Sequence, residues 1–203
     1  MVNIAVLVSG GGTNLQALID AEQAGLIHSG RIALVVSSRE GVYALERAAQ
    51  NNIPSVTLPR KRFASQGEYD AALLDVLEQH RIDVVVLAGF LTIFGPSVVQ
   101  RYPGRILNVH PALIPSFCGK GFYGLKVHQA ALDRGVKVTG ATVHLVNEVA
   151  DGGPILLQKA VEVLPGDTAE TLQRRVMEQA EWQLLPRGVE MVCAETLQEK
   201  ENK

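Results

Sequence analysis

Three runs of branched apolar residues, Val2–Val8, Ile32–Val36 and Val84–Leu87, alternate with segments of helical periodicity, and this alternation restricts the fold more than any other feature. The runs are largely unbroken, as strands covered on both faces must be. Between them lie Asn14–Gly25, Gly41–Asn51 and Gly67–His80. Apolar residues recur there three and four apart: Leu15, Ala17, Leu18 and Ala21 in the first segment, Ala71, Leu74, Val76 and Leu77 in the third. Ser55–Leu58 reads as a weaker strand. Repeated strand–helix units predict an α/β fold with a doubly wound, mostly parallel sheet. In such sheets ligands bind beyond the carboxyl ends of the strands.

The second half changes character. Ile106–Val109 reads as a strand and Val127–Arg134 as a short helix. Thr139–Val146 and Pro154–Val163 follow as consecutive strands with no helix between them, joined by the turn Asp151-Gly152-Gly153-Pro154, which places an antiparallel strand toward the C-terminus. A last helix is expected from Thr168 to about Cys193, capped by Asp167 or Thr168, with Gln198–Lys203 frayed. With 203 residues and 47% hydrophobic content, the chain suits one domain, residues 1–203, with a sizeable core.

Composition excludes several classes. A net charge of −2 argues against a general nucleic-acid binder. Cys118 and Cys193 lie too far apart for a CxxC motif and give no disulfide framework. The opening residues are too short and lack the basic leader of a signal peptide, and no apolar run approaches the roughly 18 residues of a membrane span. A cytoplasmic protein without a membrane partner is expected. No spacing of His, Cys, Asp and Glu suggests a metal site.

Two motifs carry chemistry. Ser9-Gly10-Gly11-Gly12-Thr13-Asn14 follows the first strand and opens the first helix, so glycines allow close approach and free helix amides face an anion. The loop lacks the third glycine of a dinucleotide fingerprint, since Leu15 stands there, and the Lys-Ser/Thr of a Walker loop. A phosphate monoester fits better. Asn108 and His110 lie two apart at the end of a strand, hence on one face, and Pro111 and Pro115 stop further pairing. An amide and an imidazole in one cleft suit a reaction that develops an oxyanion, and Asp151 could set the imidazole's charge. Taken alone, Asn-x-His is a weak signal that a turn cap explains equally well.

The remaining features are less specific. Leu87–Phe94 could line a slot for a flat heterocycle, but the residues alone read as ordinary core. Ser116–Gly124, with three glycines, two phenylalanines, a tyrosine and Lys120, suits a lid. Cys118 within it reads as an incidental thiol. His28 and His80 read as solvated, His128 is ambiguous, and His144 reads as a satisfied, partly buried strand residue.

In order, Val-Ser-Gly-Gly-Gly-Thr-Asn-Leu-Gln-Ala, Val-Leu-Ala-Gly-Phe, Leu-Asn-Val-His-Pro-Ala-Leu-Ile-Pro and Asp-Gly-Gly-Pro-Ile resemble the glycinamide ribonucleotide formyltransferase family over roughly residues 2–190. The resemblance implies a Rossmann-like formyltransferase fold with a phosphate-binding half, about 1–100, and a folate and catalytic half, about 101–195. It implies transfer of the formyl group of 10-formyltetrahydrofolate, as cosubstrate, to the amine of 5-phosphoribosylglycinamide in purine biosynthesis, by a monomer or homodimer. Asn108 and His110 would stabilise the oxyanion, His110 would donate a proton, and Asp151 would pair with His110 and favour its charged ring. Gly12, Thr13 and Asn14 would hold the phosphate and Glu181 the amine. Leu91, Thr92, Ile93 and Phe94, with Asn108 and Asn147, Glu148, Val149, Ala150 and Asp151, would line the folate slot.

The chain departs from the family pattern in three places. Thr92 and Gln66 stand where arginines would meet the folate tail, leaving Lys120 or Lys126 as substitutes. The lid is about five residues longer than in shorter members. The last helix carries one extra residue before Glu181, with Glu178 as the fallback. Formyltetrahydrofolate hydrolase, a non-catalytic phosphate- or nucleotide-binding module and a dinucleotide-dependent oxidoreductase are the alternatives. The first would typically add a regulatory domain ahead of Met1. Formyl-methionyl-tRNA synthesis would add a C-terminal domain for which 203 residues leave no room.

Overall fold

A computed structural model of the chain describes residues 1–202. The strands β1 Val2–Val8, β2 Gly30–Ser37, β3 Ser55–Thr57, β4 Val84–Leu87, β5 Ile106–His110, β6 Val138–Leu145 and β7 Ile155–Glu162 form one sheet. Their order is β3-β2-β1-β4-β5-β6-β7. The first five pair in parallel, and β6 runs antiparallel to both β5 and β7. The expected doubly wound, mostly parallel sheet is present. Its helices are α1 Thr13–Gln23, α2 Tyr43–Gln50, α3 Gln66–Gln79, α4 Pro96–Arg101, α5 Leu125–Arg134, α6 Ala169–Val176 and α7 Trp182–Glu201.

Strand alternation divides the core in two. Val2, Ile4, Val6 and Val8 of β1, with Val84, Val86, Leu107 and Val109, meet α1, α2, α6 and α7 through Leu15, Leu18, Ala44, Ala48, Leu172 and Leu185. Ala5, Leu7, Val85 and Ile106 point the other way, onto Tyr69, Leu73 and Leu77 of α3 and Val98 of α4. Each fully buried Val, Leu or Ile contributes roughly 1.5–3 kcal/mol. This two-sided burial is why the strands read as unbroken apolar runs.

Two elements lie outside the expected set. A 3-10 turn at Arg60–Arg62 and the six-residue α4 are too short to show periodicity. The last helix also differs from expectation. It is α6, capped by Thr168 in a reciprocal box with Thr171, then a π turn at Met177–Glu181, then α7. The π turn holds more residues than an α turn and carries Glu181 at its end. Nor do Gln198–Glu201 fray: Leu197 packs on the core, and Glu199 and Lys200 are ion-paired to Arg105 and Asp83 at 2.8 and 2.6 Å. Lys203, the end of that expected tail, lies outside the described residues.

Candidate active site

Asn108 and His110 occupy the carboxyl end of β5 on the same face as Ile106. The β5–β6 register sets His144 opposite Asn108 and Thr142 opposite His110, so all four side chains share that face. Asp151 enters from the turn between β6 and β7. Its φ is 53°, in a left-handed region that aspartate tolerates better than most residues. Gly153 lets this turn fold back, because a β-carbon there would strike the Leu145 carbonyl oxygen.

The Asp151 carboxylate gathers the group. Its Oδ1 lies 3.3 Å from Asn108 Nδ2 and 3.6 Å from His144 Nε2. Its Oδ2 accepts from the Gly119 N–H at 2.8 Å and lies 3.6 Å from His110 Nδ1. Burial pushes this carboxyl upward, but the His144 contact, the Gly119 N–H and the charges of His110 and His144 outweigh it, leaving Asp151 below its ordinary value. It is therefore a carboxylate at neutral pH.

Ring orientations follow from the carbonyls they meet. His110 Nε2 is 2.8 Å from the Phe117 carbonyl oxygen, which can only accept. A second ring proton on His110 therefore sits on Nδ1, facing Asp151. His144 Nδ1 likewise meets the Leu145 carbonyl at 2.8 Å. The neutral His144 ring then accepts one Asn108 N–H at Nε2, over 3.1 Å. The segment Ser116–Gly124 touches the cluster twice, through the Phe117 carbonyl and the Gly119 N–H. Within that segment the Phe117 and Phe122 rings meet edge to face, their centroids 6.4 Å apart. Cys118 is pushed up by burial and by Asp151, so it stays a thiol.

A second cluster surrounds the glycine loop. Gly12 has φ 73°, and a β-carbon there would lie 2.7 Å from Ala44 Cβ, so glycine is needed on both counts. The first turn of α1 contains no acidic residue, leaving its amides open to an anion. The Asn14 side chain is buried and donates through Nδ2 to Glu181 Oε2 at 2.8 Å. What Asn14 offers a phosphate is thus its backbone amide. Burial raises the Glu181 carboxyl to about 7, against the lowering effect of Asn14. Glu178 is exposed, so the buried partner of Asn14 is Glu181 rather than the fallback.

The Leu91–Phe94 loop is not ordinary core. Leu91 and Ile93 are exposed. The loop is held at one end by Ser9, whose Oγ receives the Leu91 N–H at 2.9 Å and meets Ser38 Oγ at 2.6 Å. Its other end is held by buried Asp70, which accepts from the Gly95 N–H and from Ser97. Asn147–Ala150 are exposed on the turn that carries Asp151. Sequence reasoning missed Ser9 and Asp70 as anchors of this loop. His144, read as a satisfied strand residue, is buried and hydrogen-bonded, and its ring also meets both Asn108 and Asp151. His128 is fully buried, neither ring nitrogen has a partner among the described residues, and burial, then the charge of His110, lowers it to about 4. Among the described residues no group of three or more His, Cys, Asp and Glu side chains is placed to hold a metal ion. No described helix is long and apolar enough to cross a membrane.

The family model described as formyl transferase matches residues 2–189. Phosphoribosylglycinamide formyltransferase of Haemophilus influenzae is 42% identical over 202 residues, covering 100% of this chain and 92% of that protein. The human trifunctional purine biosynthetic protein adenosine-3 is 43% identical over 199 residues, or 98% of this chain and 19% of that one. Among solved structures, glycinamide ribonucleotide transformylase 1 of Symbiobacterium toebii superimposes with TM-score 0.89 at 41% identity, over 96% of this chain and 88% of that one. The chain belongs to the formyl transferase family, among its phosphoribosylglycinamide formyltransferases.

Proposed function

We propose that the chain moves the formyl group of 10-formyltetrahydrofolate onto the amine of 5-phosphoribosylglycinamide, with Asn108, His110 and Asp151 carrying the chemistry. One observation supports this most: a carboxylate 43 residues from Asn108 in sequence lies 3.3 Å from its amide and 3.6 Å from the His110 ring. Glu181 takes a proton from the arriving ammonium, the neutral amine nitrogen attacks the formyl carbon, and the carbonyl electron pair moves to oxygen. The Asn108 N–H that Asp151 Oδ1 now accepts turns to the oxyanion, and His110 Nε2–H joins it there once the Phe117 carbonyl gives way. The pair then collapses, the bond to folate N10 breaks, and N10 takes the proton that His110 supplies. Asp151 faces the ring's charge and takes up the proton shed by the amine.

The flanking residues bind. Gly12, Thr13 and Asn14 present amides to the phosphate, and Glu181 meets the glycinamide amine as a carboxylate when that amine arrives charged. Leu91–Phe94 and Asn147–Asp151 hold the folate between two edges of the cleft. Both substrates are soluble small molecules, and the reaction belongs to the cytoplasm, without a nucleic-acid or membrane partner. The buried Asn14–Glu181 pair beside the phosphate loop favours an amine acceptor over water, and so a transferase over a hydrolase.

Absorbance growth as 10-formyl-5,8-dideazafolate loses its formyl group tests the proposal, with and without phosphoribosylglycinamide. Loss only with the amine is expected. Loss without it would mean a hydrolase, and none in either case a binding module.

A further inference from the structure

The glycine loop before α1 carries no lysine, yet a cation reaches it from α2. Arg47 donates from Nε to the Gly11 carbonyl oxygen and from Nη1 to Gln16 Oε1, both at 2.9 Å. Its guanidinium lies 4.8 Å from the Tyr43 ring centroid, and its Cδ lies 3.4 Å from where a β-carbon on Gly12 would stand. Arg47 enters no ion pair among the described residues; the acid nearest in its hydrogen-bond chain is Asp20, one amide away through Gln16 Nε2 at 2.8 Å. α2 holds the loop a second time through the Ala44 N–H, which donates to the Gly10 carbonyl oxygen at 3.2 Å. The peptide units that contain these two carbonyls are planar and trans. With its carbonyl turned to α2, each unit points its N–H the other way. Those N–H groups belong to Gly11 and Gly12, and among the described residues they donate to nothing. Gly12, left-handed at φ 73°, leads directly into α1, so successive amides line one concavity suited to an anion.

A phosphate monoester carries about −1.5 to −2 charge at neutral pH, against roughly +0.5 at a helix N-terminus. Amides alone leave most of that charge uncompensated. We propose that Arg47 is a positioning residue for the substrate phosphate, and that through it the chain selects the phosphorylated glycinamide over its unphosphorylated riboside. It draws the Gly11 carbonyl back so that the loop's N–H groups face the anion, and it sets a positive charge behind them. This rests on the formyl-transfer reading above and adds to it a residue outside the glycine loop. The charge acts on the phosphate, whereas Asn108, His110 and Asp151 stand on β5 and the turn after β6. Losing it therefore weakens binding of the phosphorylated amine and leaves the step at the formyl carbon alone. An arginine that merely braced α2 against α1 would, once removed, impair both amines alike.

Steady-state kinetics with phosphoribosylglycinamide and with unphosphorylated ribosylglycinamide test this in the unaltered protein, in Arg47→Gln and in Arg47→Lys. Arg47 is half-buried and glutamine suits a helix, so the fold survives the change. In Arg47→Gln, KM for phosphoribosylglycinamide is expected to rise by about tenfold with kcat little changed, the loss of one charge acting on the phosphate. kcat/KM for ribosylglycinamide should change far less, which narrows the preference between the two amines. Arg47→Lys keeps the charge and should recover part of the loss. Inorganic phosphate, competing with phosphoribosylglycinamide, should inhibit Arg47→Gln more weakly by the same factor. Equal losses with the two amines would overturn the proposal, as would undiminished inhibition by phosphate or a lysine variant as impaired as the glutamine one. No formyl transfer to either amine by the unaltered protein would instead refute the formyl-transfer reading, and this proposal with it.

Discussion

Asn14 and Glu181, 167 residues apart, are joined by a buried 2.8 Å hydrogen bond from amide Nδ2 to carboxyl Oε2, which ties the start of α1 to the end of the π turn. Asn14 Oδ1 has no partner among the described residues, and Glu181 is raised to about 7 by burial. Both side chains are buried, and the pair gains a full negative charge only as Glu181 ionises. A free α-amino group titrates near ~8, so glycinamide arrives largely charged at neutral pH. KM for phosphoribosylglycinamide should fall as pH rises through about 7 and Glu181 ionises. In Glu181→Gln, KM should rise by roughly tenfold, the loss of one charge-assisted contact, and become flat across that range. An unchanged pH profile in this variant would remove Glu181 from amine binding.

Stability should show two opposing buried groups. His128 is lowered to about 4, so the unfolded chain binds more protons below its ordinary value of 6.5 and the fold weakens as pH falls from 6.5 to 4. Glu181 is raised from 4.5 to about 7, so the folded chain binds more protons and the fold weakens as pH rises across that interval. Each shift corresponds to about 3 kcal/mol, and the two nearly cancel where they overlap. Urea unfolding should therefore vary little between pH 4.5 and 6.5. His128→Leu should make stability fall with rising pH there, and Glu181→Gln should make it rise. Parallel pH profiles for the two variants would show that these groups do not titrate as assigned.

His144 orients the Asn108 amide rather than meeting substrate. Its Nε2 accepts one Asn108 N–H at 3.1 Å and so keeps the amide oxygen turned away from Asp151. His144→Leu should lower kcat by about tenfold with KM for both substrates little changed, as lost preorganisation does. His144→Gln, which can still accept at that place, should recover part of the loss. A change confined to KM would contradict this role.

Much of the fold and part of the site were legible in the sequence, for identifiable reasons. β1, β2 and β4 are buried on both faces, so their branched residues stand out, and Asn108 and His110 follow from strand alternation. His144 could not be placed, because its role depends on the β5–β6 register, which no local pattern fixes. Asp151 was named from its Asp-Gly-Gly motif, but only the turn at Gly153, folded against Leu145, brings it to the cluster. The length of the last helix was misjudged because Glu199 and Lys200 look like a polar tail until Arg105 and Asp83 are seen opposite them.

The account stands on Asp151 acting with His110. Single-turnover formyl transfer from 10-formyl-5,8-dideazafolate to phosphoribosylglycinamide, followed by absorbance in the unaltered protein and in Asp151→Asn, tests that directly, with His110→Ala as companion. The asparagine keeps the shape and the acceptor for the Gly119 N–H but removes the charge facing the ring. Both variants should transfer formyl slower by ~10² or more, with the folate still bound. Transfer at the unaltered rate in Asp151→Asn would show that this carboxylate takes no part in the reaction.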